Sequence, residues 1–181
     1  MIHSTVGHDS GRMAAVRGIL EYALTLNTHL QLQDCAVKVF FYGLFMDERL
    51  LATKGIKPSE VSLGFVDGFG LRIGERATLI RHKDSRAYGV VMDIAPDEAA
   101  ELYSEDSVAD YLPEPVLVQR MDGSQVDATC YNLPDDEVFG ANTEYAELLL
   151  KLATQLGFPG SYLDRIRQAR TNTPTVHNEQ D

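Results

Sequence analysis

Two stretches of this chain carry residue types that do chemistry. Tyr42-Gly43-Leu44-Phe45-Met46 closes a run of β-formers, Val37–Met46 (VKVFFYGLFM), with a glycine inside it. Glycine lets the backbone turn sharply or take positive φ, so that successive N–H groups of Leu44, Phe45 and Met46 can face a cavity instead of a sheet ladder. Such a loop holds an anion or an oxyanion with main-chain donors; the plainer account is an ordinary strand end. The second stretch is Leu102-Tyr103-Ser104-Glu105-Asp106, where two acids follow an apolar helix end. A carboxylate held there at the mouth of a curved sheet would be desolvated, with its pKa raised toward neutrality, which suits proton transfer. The plainer account is a pair of solvated loop acids in a chain with 27 acids to place.

Other constellations are weaker. His3, His8, His29, His82 and His177 form no i, i+4 pair on a helix, so no metal site is expected. Cys35 and Cys130 have neither the count of a disulfide framework nor a zinc spacing, and Cys130, centred in an apparent strand, reads as a core thiol. Ser104 and Ser161 lack the strand-turn-helix context of an activated serine. The run Gly68-Phe69-Gly70-Leu71-Arg72-Ile73-Gly74 looks like a phosphate loop but has no following helix and no Lys-Ser/Thr pair. Arg72, Arg76, Arg81 and Arg86 can supply positive potential for a substrate carboxylate, although surface placement accounts for most of them.

The secondary structure around these residues can be read from pattern. Val37–Met46 has almost no polar alternation and reads as a strand buried on both faces. Asp47–Thr53 is a short helical turn led by an acid, ended by Gly55-Ile56-Lys57-Pro58. Val61–Phe69 and Leu71–Ile73 are β-structure broken by Gly64, Gly68, Gly70 and Gly74, a glycine density that suggests corners or bulges in a curved sheet. Ala77–Arg81 and Ala87–Ile94 are expected to form a hairpin across His82–Ser85, and Pro96–Tyr103 a helix with its acids in the first turn. Tyr111–Pro115 is expected to be irregular. A second hairpin, Val116–Arg120 with Val126–Tyr131, turns at Asp122-Gly123. Asn142-Thr143-Glu144 opens a helix over Tyr145–Leu156, and a last short helix lies near Tyr162–Ala169.

The ends differ from the middle. Residues 1–36 read as a polar lead followed by an amphipathic helix over Met13–Leu32, which can pack on the domain, make a dimer contact or lie upstream of the true translation start. Residues 170–181 lack apolar periodicity and read as a disordered tail. Strands followed by helices argue for α+β rather than a doubly wound parallel sheet. The 181 residues suit one domain, and the net charge of −11 excludes nucleic acid and anionic membrane as expected partners, because their phosphates would be repelled. No apolar run reaches membrane-span length and no export signal is seen, so the expected location is the cytoplasm.

With these pieces in order, the chain resembles the γ-glutamylcyclotransferase-like, or AIG2-like, family over about residues 37–169. Tyr42–Met46 resembles its Tyr-Gly-Ser/Thr-x-hydrophobe loop, and Gly64–Leu71 with Ala77–Ile80 resemble its early strands. Ala87–Val91 resembles its central strand, and Leu102–Tyr111 its Leu-(x)-Glu…Tyr segment; Ala128–Tyr131 and Tyr145…Gly157-Phe158-Pro159…Tyr162 also fit. The resemblance implies a small mixed, curved β-barrel flanked by helices, with an extra N-terminal helix here. It implies a cofactor-free reaction in which a γ-glutamyl amine or amino acid becomes 5-oxoproline and a free amine, by general acid/base catalysis. Glu105 is then the acid/base, with Asp106 one residue away as the competing choice. Tyr42, Gly43, Leu44, Phe45 and Met46 are the substrate loop, bordered by Tyr111 and Tyr145. The partner implied is a small γ-glutamyl compound. Leu44 and Phe45 stand where family members tend to carry a small hydroxyl residue and a polar one, which implies a more apolar pocket. A non-catalytic binding or interaction module on the same fold is the competing reading.

Overall fold

A computed structural model of the chain describes residues 36–134 and 140–171, apart from the side chains of Arg170 and Thr171. The expected helix over 13–32 lies outside them. The order is β1 (Val37–Phe41), a 3-10 turn (Leu44–Met46), α1 (Glu48–Thr53), β2 (Ser59–Ile73), β3 (Ala77–Ile94), α2 (Pro96–Leu102), β4 (Leu112–Arg120), β5 (Gln125–Asn132), α3 (Thr143–Gln155) and α4 (Gly160–Thr171). The strands close into a barrel in the order β1-β3-β2-β4-β5, so the fold is α+β, a mixed barrel flanked by helices.

β1 is buried as its composition requires: Val39, Phe40 and Phe41 are at most 2% exposed. It runs antiparallel to β3, from Val37 opposite Ile94 to Phe41 opposite Val90. On its other side it is parallel to β5, at Val39 opposite Thr129, the pairing that closes the barrel. Lys38 crosses to Asp93 at 2.6 Å on the rim of that first pair.

The largest element is the β2–β3 hairpin, and here the structure corrects the pattern reading. β3 is continuous from Ala77 to Ile94, so Ala77–Arg81 and Ala87–Ile94 do not pair with each other. Both pair with β2 instead: Ile73 faces Ala77, and the ladder continues to Ser59 opposite Asp93. The hairpin turn is therefore Gly74-Glu75-Arg76. The polar His82–Ser85 is extra length in β3, between Arg81 opposite Phe69 and Arg86 opposite Asp67. The β2 side of that irregularity is Gly68, at φ +79, which is the bulge the glycine density suggested. Gly64 and Gly89 face each other and let neighbouring strands close in. A Cβ on Gly89 would sit 2.6 Å from the Phe40 ring, and one on Gly64 2.7 Å from Val118.

A second correction concerns Tyr111–Pro115. Four of these five residues begin β4, with Pro113 opposite Tyr131 and Pro115 opposite Thr129. β4 pairs with β2 only at Gly64 and Phe65, opposite Arg120 and Gln119, so Leu112–Pro115 lie on a free edge. Proline at alternate positions fits such an edge, because its missing N–H would have faced outward. α3 is capped as its sequence signals, Asn142 Oδ1 accepting the Tyr145 N–H at 2.9 Å. α4 runs to Thr171, two residues into the stretch read as a tail. No helix among the described residues is long and apolar enough to cross a membrane.

Candidate functional site

Where β1 leaves the barrel wall the chain makes the 3-10 turn, and a pocket opens beside it. Its lining joins Tyr42, Gly43, Leu44 and Phe45 from this loop, Arg76 and Ala77 from the β2–β3 turn, and Tyr103 and Val108 from the segment after α2. Tyr111, Tyr131 and Tyr145 complete it, with Phe41 and Leu50 behind the loop. The hollow measures about 490 Å³ including its open mouth and the solvent in it.

The loop is built differently from its expected form. Gly43 has φ −104, a conformation open to any residue. Glycine is required by space: a Cβ there would lie 2.6 Å from the Tyr145 hydroxyl. Nor do all three amides face the cavity. Met46 N–H donates to the Gly43 carbonyl at 3.1 Å, and its side chain is buried in the core, so Met46 is not part of the lining. Leu44 N–H lies 3.4 Å from the Tyr145 hydroxyl oxygen, a long contact. Phe45 N–H has no acceptor among the described residues.

The tyrosines are fixed by main-chain acceptors. Tyr42 donates to the Tyr131 carbonyl at 2.5 Å and Tyr111 to the Ala77 carbonyl at 2.7 Å. Tyr103 stacks on Tyr131, ring centres 3.6 Å apart, and presents its edge to Phe45, 6.3 Å away, which in turn meets Phe41. Burial pushes the phenols of Tyr42, Tyr103, Tyr111, Tyr131 and Tyr145 above the usual tyrosine range. They are neutral at physiological pH, available as hydrogen-bond partners and as stacking surfaces but not as bases.

Of the residues singled out in the sequence, Tyr42, Gly43, Leu44, Phe45, Tyr111 and Tyr145 meet at this pocket. Glu105 does not line it. Its carboxylate is held by Lys54 Nζ at 2.5 and 2.6 Å, and Lys54 itself lies 5.8 Å from the Phe45 ring centre. Glu105 nevertheless belongs to the turn between Tyr103 and Val108, both of which do line the pocket, and its carbonyl accepts the Val108 N–H. Asp106 is exposed and also outside the lining. Among the described residues no carboxylate is in the lining, and no three His, Cys, Asp or Glu converge to hold a metal.

Among the seven lining residues not identified as pocket members from sequence, Arg76, Tyr103 and Tyr131 are the ones that carry a charge or a hydroxyl. Arg76 stands in the turn Gly74-Glu75-Arg76, and its placement follows only once β2 is paired with the whole of β3. Tyr103, at the end of α2, and Tyr131, near the end of β5, meet by stacking on one another. A signal for the first was present, two long β-runs flanking Gly74, which marks a hairpin turn.

Comparison with known proteins bears on the fold. Residues 86–166 match the model of the AIG2-like family. A solved structure described as a gamma-glutamyl cyclotransferase superposes with a TM-score of 0.60 at 14% identity, covering 80% of this chain and 92% of that one. An uncharacterized protein from Homo sapiens gives 0.60 at 17% identity, covering 74% and 87%. YkqA from Bacillus subtilis gives 0.63 at 19% identity, covering 77% of this chain but 55% of that one. At such identities the likeness is one of fold. No curated protein matches the chain. The fold is thus similar to that of a structure described as a gamma-glutamyl cyclotransferase, and residues 86–166 resemble the AIG2-like family.

Proposed function

We propose that the chain is a γ-glutamylcyclotransferase-like enzyme that cyclises the γ-glutamyl group of a small amine or amino acid to 5-oxoproline and releases the amine. The observation that carries this reading is the glycine loop at the pocket, with the Phe45 amide lacking an acceptor among the described residues, in a barrel similar to that of a gamma-glutamyl cyclotransferase. The substrate's α-amine is protonated near neutral pH and attacks the γ-carbonyl only after a base removes a proton. As the five-membered ring closes, charge develops on the carbonyl oxygen, and a main-chain donor in the loop stabilises it, an effect worth about 3 kcal/mol. The same acid then protonates the departing amine as the C–N bond breaks. Glu105 takes this role by leaving Lys54 and turning toward the loop. Lys54 and Glu105 side chains are 26% and 38% exposed, so the ion pair contributes only about 0–1 kcal/mol and opens readily.

A second reading has its own observation. Among the described residues the lining holds five tyrosines, one arginine and no carboxylate, which suits a non-catalytic small-molecule-binding module on the same fold. A panel of γ-glutamyl amines and amino acids, assayed for 5-oxoproline, separates the two. The enzyme reading expects product from the wild type and a loss of at least about a hundredfold in Glu105→Gln, in line with the removal of a general base. Product that survives Glu105→Gln but vanishes in Asp106→Asn moves the role to Asp106, and no product from any compound leaves the binding module.

A further inference from the structure

We infer that Arg76 is the anchor for a ligand carboxylate in this pocket, and that the group beyond the amide bond is apolar or aromatic rather than cationic. The inference rests on the pocket being the γ-glutamyl site. Of the four arginines clustered in the sequence, Arg81 pairs with Glu114 and Arg86 with Asp67, while Arg72 is exposed. Arg76 alone among them lines the pocket, and it has no acid partner among the described residues.

Its backbone is held in place. Gly74 N–H donates to the Arg76 carbonyl at 2.9 Å, and Asn142 N–H donates to the Gly74 carbonyl at 3.1 Å, tying the hairpin turn to the start of α3. Arg76 shares the pocket lining with Tyr111 and Tyr145, and its positive charge opposes the rise that burial imposes on both phenols. Those phenols are neutral, and the Tyr111 hydroxyl is already committed to Ala77. A half-buried guanidinium has five N–H donors in a planar fork and matches a carboxylate with two of them. A γ-glutamyl compound supplies that carboxylate on its α-carbon.

The other walls select the group on the far side of the amide. Leu44, Phe45, Tyr103 and Val108 present carbon and aromatic surface, and among the described residues no acid lines the pocket to neutralise a second ammonium group, Glu105 in its proposed role being committed to the α-amine. An apolar amine gains burial there, whereas a diamine or lysine-like group must shed water from its charge without a partner. Of the amines that the cyclisation could release, the structure therefore favours aryl and alkyl amines and apolar amino acids.

The test separates recognition from turnover. Glutaric acid monobenzylamide keeps the carboxylate and the aryl amide but lacks the α-amine, so it cannot cyclise. Titrated into the full chain by calorimetry, it should bind the wild type and lose about tenfold to a hundredfold in affinity in Arg76→Gln, with partial recovery in Arg76→Lys. Butyric acid benzylamide, which has no carboxylate, should bind weakly to the wild type and equally weakly to Arg76→Gln. The glutaric amide of 1,4-diaminobutane should bind about tenfold more weakly than the benzylamide, the order expected when apolar burial is lost and a charge is desolvated. Unchanged affinity in Arg76→Gln, a carboxylate-free probe as tight as its parent, or a cationic amide that matches the benzylamide would each overturn the inference. Should Arg76→Gln fold poorly, the two analogue comparisons on the wild type still decide it. Binding through Arg76 without any 5-oxoproline from γ-glutamyl benzylamine removes the cyclotransferase reading alone. Turnover with an unchanged KM in Arg76→Gln removes the anchor alone.

Discussion

At the scale of single residues, two glycines define what this fold tolerates. Gly43 is extended, so its lack of a side chain matters through the 2.6 Å that a Cβ would leave to the Tyr145 hydroxyl. That oxygen is the end of a side chain and can retreat, but only by giving up its contact with Leu44 N–H. Gly43→Ala is expected to cost about 1–2 kcal/mol and to displace Tyr145 from the pocket wall. Gly89 has no such relief. A Cβ there would collide with the Phe41 carbonyl oxygen as well as the Phe40 ring, and backbone in the middle of a barrel does not withdraw. Gly89→Ala is expected to cost about 3 kcal/mol or to abolish folding. Urea unfolding of the two variants side by side tests the distinction: comparable losses would show that yielding side chains and fixed backbone are not what separates them. Tyr42-Gly43 was legible in sequence as a special position, but the reason was not, because the crowding comes from a residue a hundred positions away.

At the scale of elements, what could be read was local chemistry, and what could not was pairing. The start of α3 was plain in Asn142-Thr143-Glu144, and the structure shows the Asn142 side chain capping it at Tyr145 N–H. The β4–β5 turn was equally plain in Asp122-Gly123, where Gly123 has φ +87 and Asp122 accepts from the Ser124 N–H. By contrast, His82–Ser85 carries every local mark of a turn and is not one, because β2 supplies a partner for both halves of β3. The same misreading hid Arg76, which is placed in the pocket by that longer pairing. Pro113 and Pro115 suggested irregular chain and instead mark a free strand edge. Asn142 also joins two elements, since its backbone N–H bonds the hairpin turn at Gly74. Asn142→Ala keeps that backbone bond and loses the cap, so the expected effect is a stability loss of about 1 kcal/mol, with Asn142→Asp close to wild type. Chemical denaturation reads it directly, and an Asp variant as weak as the Ala variant would show that the side-chain acceptor is not what matters.

At the scale of the whole molecule, the α+β class followed from element order, but barrel closure rests on β1 lying beside β5, a parallel contact between residues far apart that no local pattern announces. That closure gathers the tyrosines. Burial raises the phenol pKa of Tyr42, Tyr103, Tyr111, Tyr131, Tyr145 and Tyr162 in the folded state, and it holds the buried Cys130 thiol up at about 12. In the unfolded chain the same groups ionise near their ordinary values, about 10 for tyrosine and about 8.5 for cysteine. A group whose pKa is raised on folding contributes stability that is complete below the unfolded pKa and is lost as the pH climbs from there toward the folded value. The loss should therefore begin between about pH 8.5 and pH 10 and steepen above, because each additional phenol that the unfolded chain has ionised and the folded chain has not adds about 1.4 kcal/mol per pH unit. In a pH titration these phenols should then ionise together with unfolding, as one cooperative rise of tyrosinate absorbance coincident with the loss of helical circular dichroism. A gradual rise of that absorbance through the ordinary tyrosine range, with the circular dichroism unchanged, would mean that the aromatic wall is wet, and the apolar ligand class argued from it would fall with it.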